Sequence, residues 1–174
     1  MAKRKIIIAP DPRLRAICSE VSTVDEDTAR LMSDMLETMY SAPGIGLAAP
    51  QLGVKKRIIV VDAARGEEEL RPYKMANPEI LWSSSEEKAH EEGCLSLPTY
   101  YENVVRSDQV RVRYTDEYNA VQELEADGLL SVVVQHEIDH LDGKLFVDHI
   151  SSLKRAMILK KLRKTKKQMA TEQD

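Results

Sequence analysis

The predicted fold is organised around the stretch Gln135-His136-Glu137-Ile138-Asp139-His140, which contains the motif H-E-x-x-H. Residues four apart on an α-helix lie one turn above each other, so both histidines are expected on one helix face. Such a pair can bind a metal ion, with Glu137 beside it as a candidate general base. The motif alone leaves an alternative open, in which both histidines are satisfied by hydrogen bonds at a helix end.

The residues on either side of the motif favour a buried α-helix. Gly143 follows it as a plausible C-terminal stop. A helix with so many apolar residues packs inside a domain, where it can support a site rigidly. The apolar residues that precede the motif are Leu129, Leu130, Val132, Val133 and Val134.

Other periodic segments predict a further helix and several strands. Residues 25–40 have the apolar spacing of a helix, which Asp25 can cap. Because strands and helices occur in this order without repeats or linkers, we expect an α+β domain. Strands are predicted over residues 5–8, 57–63, 75–80, 104–114 and 121–125.

Length and cysteine content bound the class of protein. A chain of 174 residues can bury a core as a single domain over residues 1–174 without disulfides. Cys18 and Cys94 are the only cysteines, which favours a reducing compartment. The apolar patch before Pro10 is too short for a signal peptide, and no apolar run approaches a membrane span. We expect a cytoplasmic protein with no membrane partner.

Charge is unevenly distributed along the chain, whose net charge is −4. Eight basic and no acidic residues lie from Lys154 to Lys167, whereas the chain up to Leu153 has 27 acidic against 17 basic residues. The tail over residues 154–174 therefore either meets a polyanion or forms a solvated terminal helix, and charge alone does not decide between them.

A loop of small residues follows the first predicted helix. It contains Gly44-Ile45-Gly46-Leu47-Ala48-Ala49-Pro50-Gln51, in which the third glycine of a dinucleotide fingerprint is absent. Small residues allow a peptide to approach the backbone closely, and the Gln51 amide could donate to an oxyanion. The alternative is an ordinary connecting loop with a satisfied glutamine.

A third metal ligand must come from outside the helix. The longer metzincin pattern requires a histidine where this chain has Phe146, and His149 lies three residues too late. Upstream, His90 and Cys94 are the candidates. Cys94 lies among glycine, small residues and a proline, as a ligand in a loop would, although a free cysteine is more often inert and buried.

Three stretches together resemble the signature motifs of peptide deformylases. They are Gly44-Ile45-Gly46-Leu47-Ala48-Ala49-Pro50-Gln51, Glu92-Gly93-Cys94-Leu95-Ser96 and Gln135-His136-Glu137-Ile138-Asp139-His140. They occur in the order of that family and at similar separations, and the similarity extends over most of the chain. The resemblance implies antiparallel β-sheets around a central helix that carries H-E-x-x-H, with an N-terminal helix and a basic C-terminal helix.

The resemblance also implies a set of roles. Cys94, His136 and His140 would bind one divalent metal, iron(II) before zinc, nickel or cobalt. Glu137 would be the general base and acid, while Gln51 and the Leu95 N–H would hold the oxyanion. The substrate would be the N-formylmethionyl end of a nascent peptide, from which the enzyme releases formate.

The resemblance also bears on substrate contacts and partners. Backbone at Gly46 and Gly93 could align an extended peptide. The tail implies docking on the ribosome, with Leu153, Met157 and Leu162 pinning one face to the body. Alternatives are a zinc metallopeptidase of the H-E-x-x-H class and a non-catalytic ribosome- or RNA-binding module. The methionine pocket is expected to include Ile45, Leu129, Val132 and Val133.

One departure from the family concerns the outer rim of the site. Many bacterial members carry a basic residue just beyond the cysteine motif, where this chain has Thr99-Tyr100-Tyr101. The position of Tyr101 therefore affects how the outer peptide-binding rim is built, and not the chemistry.

Overall fold

The computed structural model describes residues 2–172 and contains three α-helices. These are α1 (Glu26–Ser41), α2 (Gly128–Leu141) and α3 (Ser152–Glu172). The predicted cap of α1 is confirmed, since the Asp25 carboxylate accepts a 2.9 Å hydrogen bond from the Thr28 N–H. Within residues 2–172, no helix is both long and apolar enough to cross a membrane.

Seven strands form two antiparallel sheets, so the expected α+β class is confirmed. A five-stranded sheet has the order β1-β2-β3-β6-β7, and β4 and β5 form a separate hairpin. The strands are β1 (Gly46–Ala48), β2 (Ile58–Val61), β3 (Tyr73–Ser83), β4 (Glu87–Cys94), β5 (Leu97–Ser107), β6 (Gln109–Thr115) and β7 (Val121–Asp127).

Two strand predictions need correction. Residues 5–8 form no strand; the N–H of Ile7 donates to the Gln51 carbonyl (2.7 Å), which is part of a 3₁₀ turn. Residues 104–114 are the end of β5 and most of β6, which lie in different sheets. Asp108 separates them, and its N–H bonds the Glu86 carbonyl. Apolar alternation runs through the break because both strands have one buried face.

The buried strand β2 separates two apolar layers. Ile59 and Val61 belong to the layer that contains Val134 and Ile138 of α2, whereas Ile58 and Val60 pack with the methionines of α1. Alternate side chains of a strand point to opposite faces, so β2 is covered on both. Helix α2 also contacts β5 of the hairpin, and it thus touches both sheets.

Helix α3 is attached by fewer apolar residues than expected. Ile158 and Leu162 are buried against the 3₁₀ turn Phe146–His149 and the β4–β5 hairpin. Leu162 was predicted for this role, but Leu153 and Met157 are 71% and 51% exposed, so their assignment is wrong. The apolar spacing in α3 predicted that one face of the helix packs against the body, but it did not predict which residues form that face.

The turn after α2 gives a test of this packing. Gly143 has a φ of +72°, and a Cβ there would lie 2.5 Å from the Arg15 carbonyl oxygen. Gly66 has a φ of +61° with nothing within 4 Å. We expect Gly66→Ala to lower the free energy of unfolding by about 1 kcal/mol. Gly143→Ala should lower it by about 3 kcal/mol, because backbone must also move. Urea unfolding measures both; equal losses would contradict the close approach.

Candidate metal centre

The β4–β5 hairpin delivers Cys94 to the side of α2. Cys94 is the last residue of β4, and a register shift at the end of the hairpin pairs it with Leu97. Its Sγ lies 3.4 Å from His140 Nε2. A thiol from a strand end thus meets an imidazole from a helix, although the two residues are 46 positions apart.

Three predicted ligands converge in this structure. One ligand atom from each of Cys94, His136 and His140 lies within 4.8 Å of the others. The two imidazole centroids are 5.1 Å apart, as the helical spacing predicted. The group does not include His90, the other upstream candidate, which lies in the middle of β4.

These donors fit a divalent metal of the zinc or iron type. One thiol and two imidazoles supply three protein ligands, which leaves a coordination position for a small molecule. His136 Nδ1 is 2.9 Å from Glu92 Oε1, so its Nε2 is left to face the group. His140 is almost fully buried, and burial lowers its pKa, which favours the neutral form that binds metals.

A series of ionic contacts extends from the Nδ1 side of His136. The guanidinium of Arg106 donates to both Glu92 oxygens, at 2.6 and 3.0 Å. It also donates to Asp139 Oδ2 at 2.9 Å, and the same oxygen accepts from His149 Nε2 at 2.8 Å. Burial alone would raise the pKa of Glu92, but the hydrogen bonds from His136 and Arg106 lower it to about 2. Glu92 is therefore an anionic acceptor for His136.

The environment of Glu137 raises its pKa, whereas that of Glu92 lowers it. It is 3% exposed, and its Oε2 has no hydrogen-bond partner within residues 2–172. Burial raises its pKa to about 7. A carboxyl group in this range can accept and release a proton near neutral pH. Gly46 makes this placement possible, since a Cβ there would lie 2.7 Å from Glu137 Oε1.

Both predicted oxyanion residues are neighbours of Cys94, Gln51 by a side-chain contact and Leu95 along the chain. Gln51 is buried in the 3₁₀ turn Ala49–Leu52, where its Oε1 accepts from the Ala48 N–H at 2.9 Å. Its Nε2 donates to Cys94 Sγ at 3.5 Å and to Ser96 Oγ at 3.0 Å. Leu95 follows Cys94 and packs against the glycine loop, where a Cβ at Gly44 would lie 2.7 Å from its side chain.

A cavity of about 470 Å³ opens in front of this group. Gln51 and His140 do not line it. All six residues predicted to bind substrate line it, together with three charged or sulfur-bearing site residues and Leu95. They are Ile45, Gly46, Gly93, Leu129, Val132, Val133, Cys94, His136, Glu137 and Leu95.

Several contributors were missed by sequence reasoning. Arg106 is the main one, and its signal was a basic residue on the same face of β5 as the buried Val104. Exposed Arg65 and Glu91 also line the cavity, as does Tyr101, which the sequence had already associated with the outer rim. A Cβ at Gly93 would lie 2.5 Å from the Tyr101 ring, so Tyr101 covers the glycine at the cavity edge. Nothing in the sequence marked Arg65.

Comparison with known proteins identifies the family. The family model for polypeptide deformylase matches residues 3–156. The chain belongs to the peptide deformylase family. Members of this family are enzymes that remove the N-formyl group from nascent peptides, so the resemblance drawn from the three motifs is confirmed.

Similarity to individual peptide deformylases extends over nearly the whole chain. The Methylocella silvestris enzyme is 54% identical over 175 residues, covering 99% of this chain and 89% of that relative. The crystal structure from Legionella pneumophila has a TM-score of 0.88 at 48% identity, covering 97% of this chain and 98% of that one. The Ehrlichia chaffeensis structure in complex with actinonin has a TM-score of 0.91 at 38% identity, covering 95% and 98%. None of these three is a metallopeptidase, so they give that alternative no support.

The contact between Glu92 and His136 gives a test of metal binding. Glu92→Gln keeps the size of the side chain but removes the charge that holds both His136 and Arg106. We expect the affinity for cobalt(II) or zinc(II) to fall about 10- to 100-fold, measured by competition with a chelator. Glu87→Gln, an exposed change on the same strand, is the control. Equal affinities of the two variants would contradict a supporting role for Glu92.

Proposed function

We propose that this chain removes the formyl group from N-formylmethionyl peptides in a single catalytic domain over residues 1–174, with α2 as the central helix of that domain. One observation carries the proposal. The ligand atoms of Cys94, His136 and His140 converge beside a buried carboxylate, Glu137, at the wall of a cavity large enough for a side chain and adjoining backbone. Membership of the peptide deformylase family supplies the substrate class.

Cys94, His136 and His140 are the residues that would hold the metal. Its chemistry there is Lewis acidity, which polarises a carbonyl and makes water easier to deprotonate. We propose iron(II) as the resident ion, and zinc, nickel or cobalt also suit one thiolate and two imidazoles. Gln51 orients the Cys94 sulfur through its Nε2. Glu92 keeps a hydrogen on His136 Nδ1 and so presents Nε2.

Glu137 would move the proton of the reaction. Its carboxylate takes a proton from the attacking water, whose oxygen adds to the formyl carbon. When the carbon–nitrogen bond breaks, Glu137 returns that proton to the leaving amine, and formate is released. Glu137 is largely buried at the cavity wall, with Gly46 packed against its carboxylate and His136 Nε2 3.7 Å from its Oε1.

Other residues would bind and orient the substrate. The Leu95 N–H and the Gln51 amide would donate to the oxygen that becomes negative, and for this Gln51 Nε2 would give up one of its hydrogen bonds to Cys94 and Ser96. Backbone at Gly46 and Gly93 would pair with the extended peptide. The methionine side chain would lie against the apolar wall formed by Ile45, Leu129, Val132 and Val133.

Replacement of Glu137 tests the proton-transfer role. Glu137→Gln keeps the shape but cannot accept a proton, so formate release from a formyl-Met tripeptide should fall about 100-fold or more. Metal content after oxygen-free purification should remain that of the parent chain. Binding of actinonin, the molecule bound to the E. chaffeensis relative, should also persist.

The control for this variant is Glu125→Gln, an exposed change on β7. It should leave formate release unchanged. Turnover by Glu137→Gln within a few-fold of the parent rate would contradict the proposed role, and loss of metal would show that Glu137 acts through folding of the site.

We also propose that α3 docks on ribosomal RNA, which would place the enzyme in the cytoplasm beside its nascent substrates. Lys160, Lys164 and Lys167 are exposed along one side of α3, away from Ile158 and Leu162. None of these three lysines takes part in a salt bridge within residues 2–172. Free cations in a row can displace counterions from phosphates.

Neutralising this stripe tests the docking. Truncation after Leu153 is unsuitable, because it would uncover the apolar surface beneath Ile158 and Leu162. Instead, the three lysines of the stripe and the adjacent exposed Lys161 are changed together to Gln, which should weaken ribosome sedimentation and flatten its salt dependence. Activity on the formyl tripeptide should be unchanged. The control neutralises four exposed basic residues elsewhere, and equal weakening would contradict docking through α3. These are Lys55, Lys56, Arg111 and Arg113.

A further inference from the structure

A short turn between α2 and α3 contacts the metal centre by two routes. This 3₁₀ turn, Phe146–His149, brings the Phe146 ring parallel to the His136 imidazole, with centroids 6.2 Å apart and 22° between planes. Three residues later, His149 contacts Asp139 on α2. The turn Phe146–His149 therefore contacts His136 directly through the Phe146 ring. It also contacts His136 indirectly, through His149 and the charged residues that hydrogen-bond to His136.

The indirect route is a continuous series of hydrogen bonds. His149 Nε2 lies 2.8 Å from Asp139 Oδ2, which also accepts from Arg106 Nη1 at 2.9 Å. Arg106 grips both oxygens of Glu92, and Glu92 Oε1 faces His136 Nδ1 at 2.9 Å. Side-chain exposure falls along this series from 35% at His149 to 20% at Asp139 and 4% at Glu92. The outermost member is thus the one most easily changed without opening the core.

The turn that presents His149 is itself fixed. The Asp148 carboxylate accepts from the Leu145 N–H at 2.9 Å, and the Asp148 N–H donates to the Leu145 carbonyl at 2.9 Å. Asp148 also pairs with Arg15 from the N-terminal segment. Phe146 and Val147 are fully buried. His149 is therefore held at a defined place against Asp139, unlike a histidine on a free surface loop.

We propose that His149 is a positioning residue for the metal ligand His136, acting through Asp139, Arg106 and Glu92. Its N–H occupies one side of the Asp139 oxygen, so that Arg106 has a fixed partner on α2 while it grips Glu92 on β4. Without that N–H, Asp139 can turn, Arg106 loses its anchor, and the Glu92 carboxylate holds the His136 ring less firmly. This inference rests on the proposed function, because it takes His136 to be a ligand.

The expected effect is on retention of the metal. Loss of a direct partner of a ligating histidine typically costs 10- to 100-fold in metal affinity. His149 lies three contacts further out and is partly solvated, so we expect His149→Phe to release cobalt(II) about threefold faster. The rate is measured on the cobalt-loaded full chain by mixing with excess chelator and following the cobalt–thiolate absorbance.

Two comparisons separate positioning from a general loosening of the turn. His149→Gln keeps an N–H donor and should release cobalt nearly as slowly as the parent chain. In a Glu92→Gln background, His149→Phe should have no further effect, because the route from His149 to His136 is already cut. Urea unfolding of each variant without metal reports any change of stability separately.

The outcomes are distinct. A threefold effect that His149→Gln rescues and Glu92→Gln abolishes supports the proposal. An effect of His149→Phe that adds in full to that of Glu92→Gln overturns it, as does no effect at all. If the parent chain binds no cobalt through Cys94, seen as absence of the thiolate absorbance, the proposed function fails and not merely the role of His149.

Discussion

The geometry of the site depends on one buried cation. The metal-ligand candidates come from two separate elements. Cys94 lies at the end of the β4 strand of the hairpin, and the two histidines lie on α2. Arg106 joins them, because it reaches Glu92 on β4 and Asp139 on α2 within 3.0 Å of each. A pair of buried charges gives little net stability, but removing one partner leaves the others unpaired in a low dielectric. The arrangement therefore fixes the position of the hairpin against the helix more than it stabilises the fold.

Close backbone approach is the second constraint on the same place. Gly46 leaves room for the carboxylate of Glu137, and Gly93 leaves room for the ring of Tyr101. At both positions a Cβ would lie under 3 Å from an existing atom, so no other residue fits without movement. The stretch of small residues Gly44–Gln51, for which the sequence left an ordinary connecting loop as the alternative, is closely packed, with Gly44 against Leu95 and Gly46 against Glu137. Their role in the fold is steric, because a larger side chain would collide with its neighbours.

Sequence reasoning succeeded where the determining contacts are local. The Asp25 cap, the span of α1 and the two imidazoles on one face of α2 follow from spacing within one helix. It failed where pairing partners decide the outcome. Residues 5–8 have strand-like side chains but hydrogen-bond to a turn, and the alternation over residues 104–114 continues across Asp108 into a different sheet. Periodicity reports which face is buried, not what covers it.

Arg106 shows the same limit at the site itself. Alternation places it on the inner face of β5, yet a buried arginine is meaningful only with its partners, which lie 14 and 33 residues away in the chain. The three motifs located Cys94 and His136 by resemblance, but no pattern linked them to Arg106. The distant charges had to be seen together before their effect on His136 could be stated.

The two carboxylates nearest His136 illustrate how the fold separates their roles. Both Glu92 and Glu137 are buried, so burial pushes the pKa of each upward. At Glu92 the hydrogen bonds from His136 and Arg106 outweigh burial and lower the pKa. Glu137 Oε2 has no partner in the described chain, and burial raises the pKa of Glu137 to about 7. Neighbouring acids with opposed shifts are the usual basis for assigning one a fixed charge and the other a mobile proton. An unpaired buried oxygen costs stability, and that cost is understandable if Glu137 is the group that exchanges a proton with the substrate.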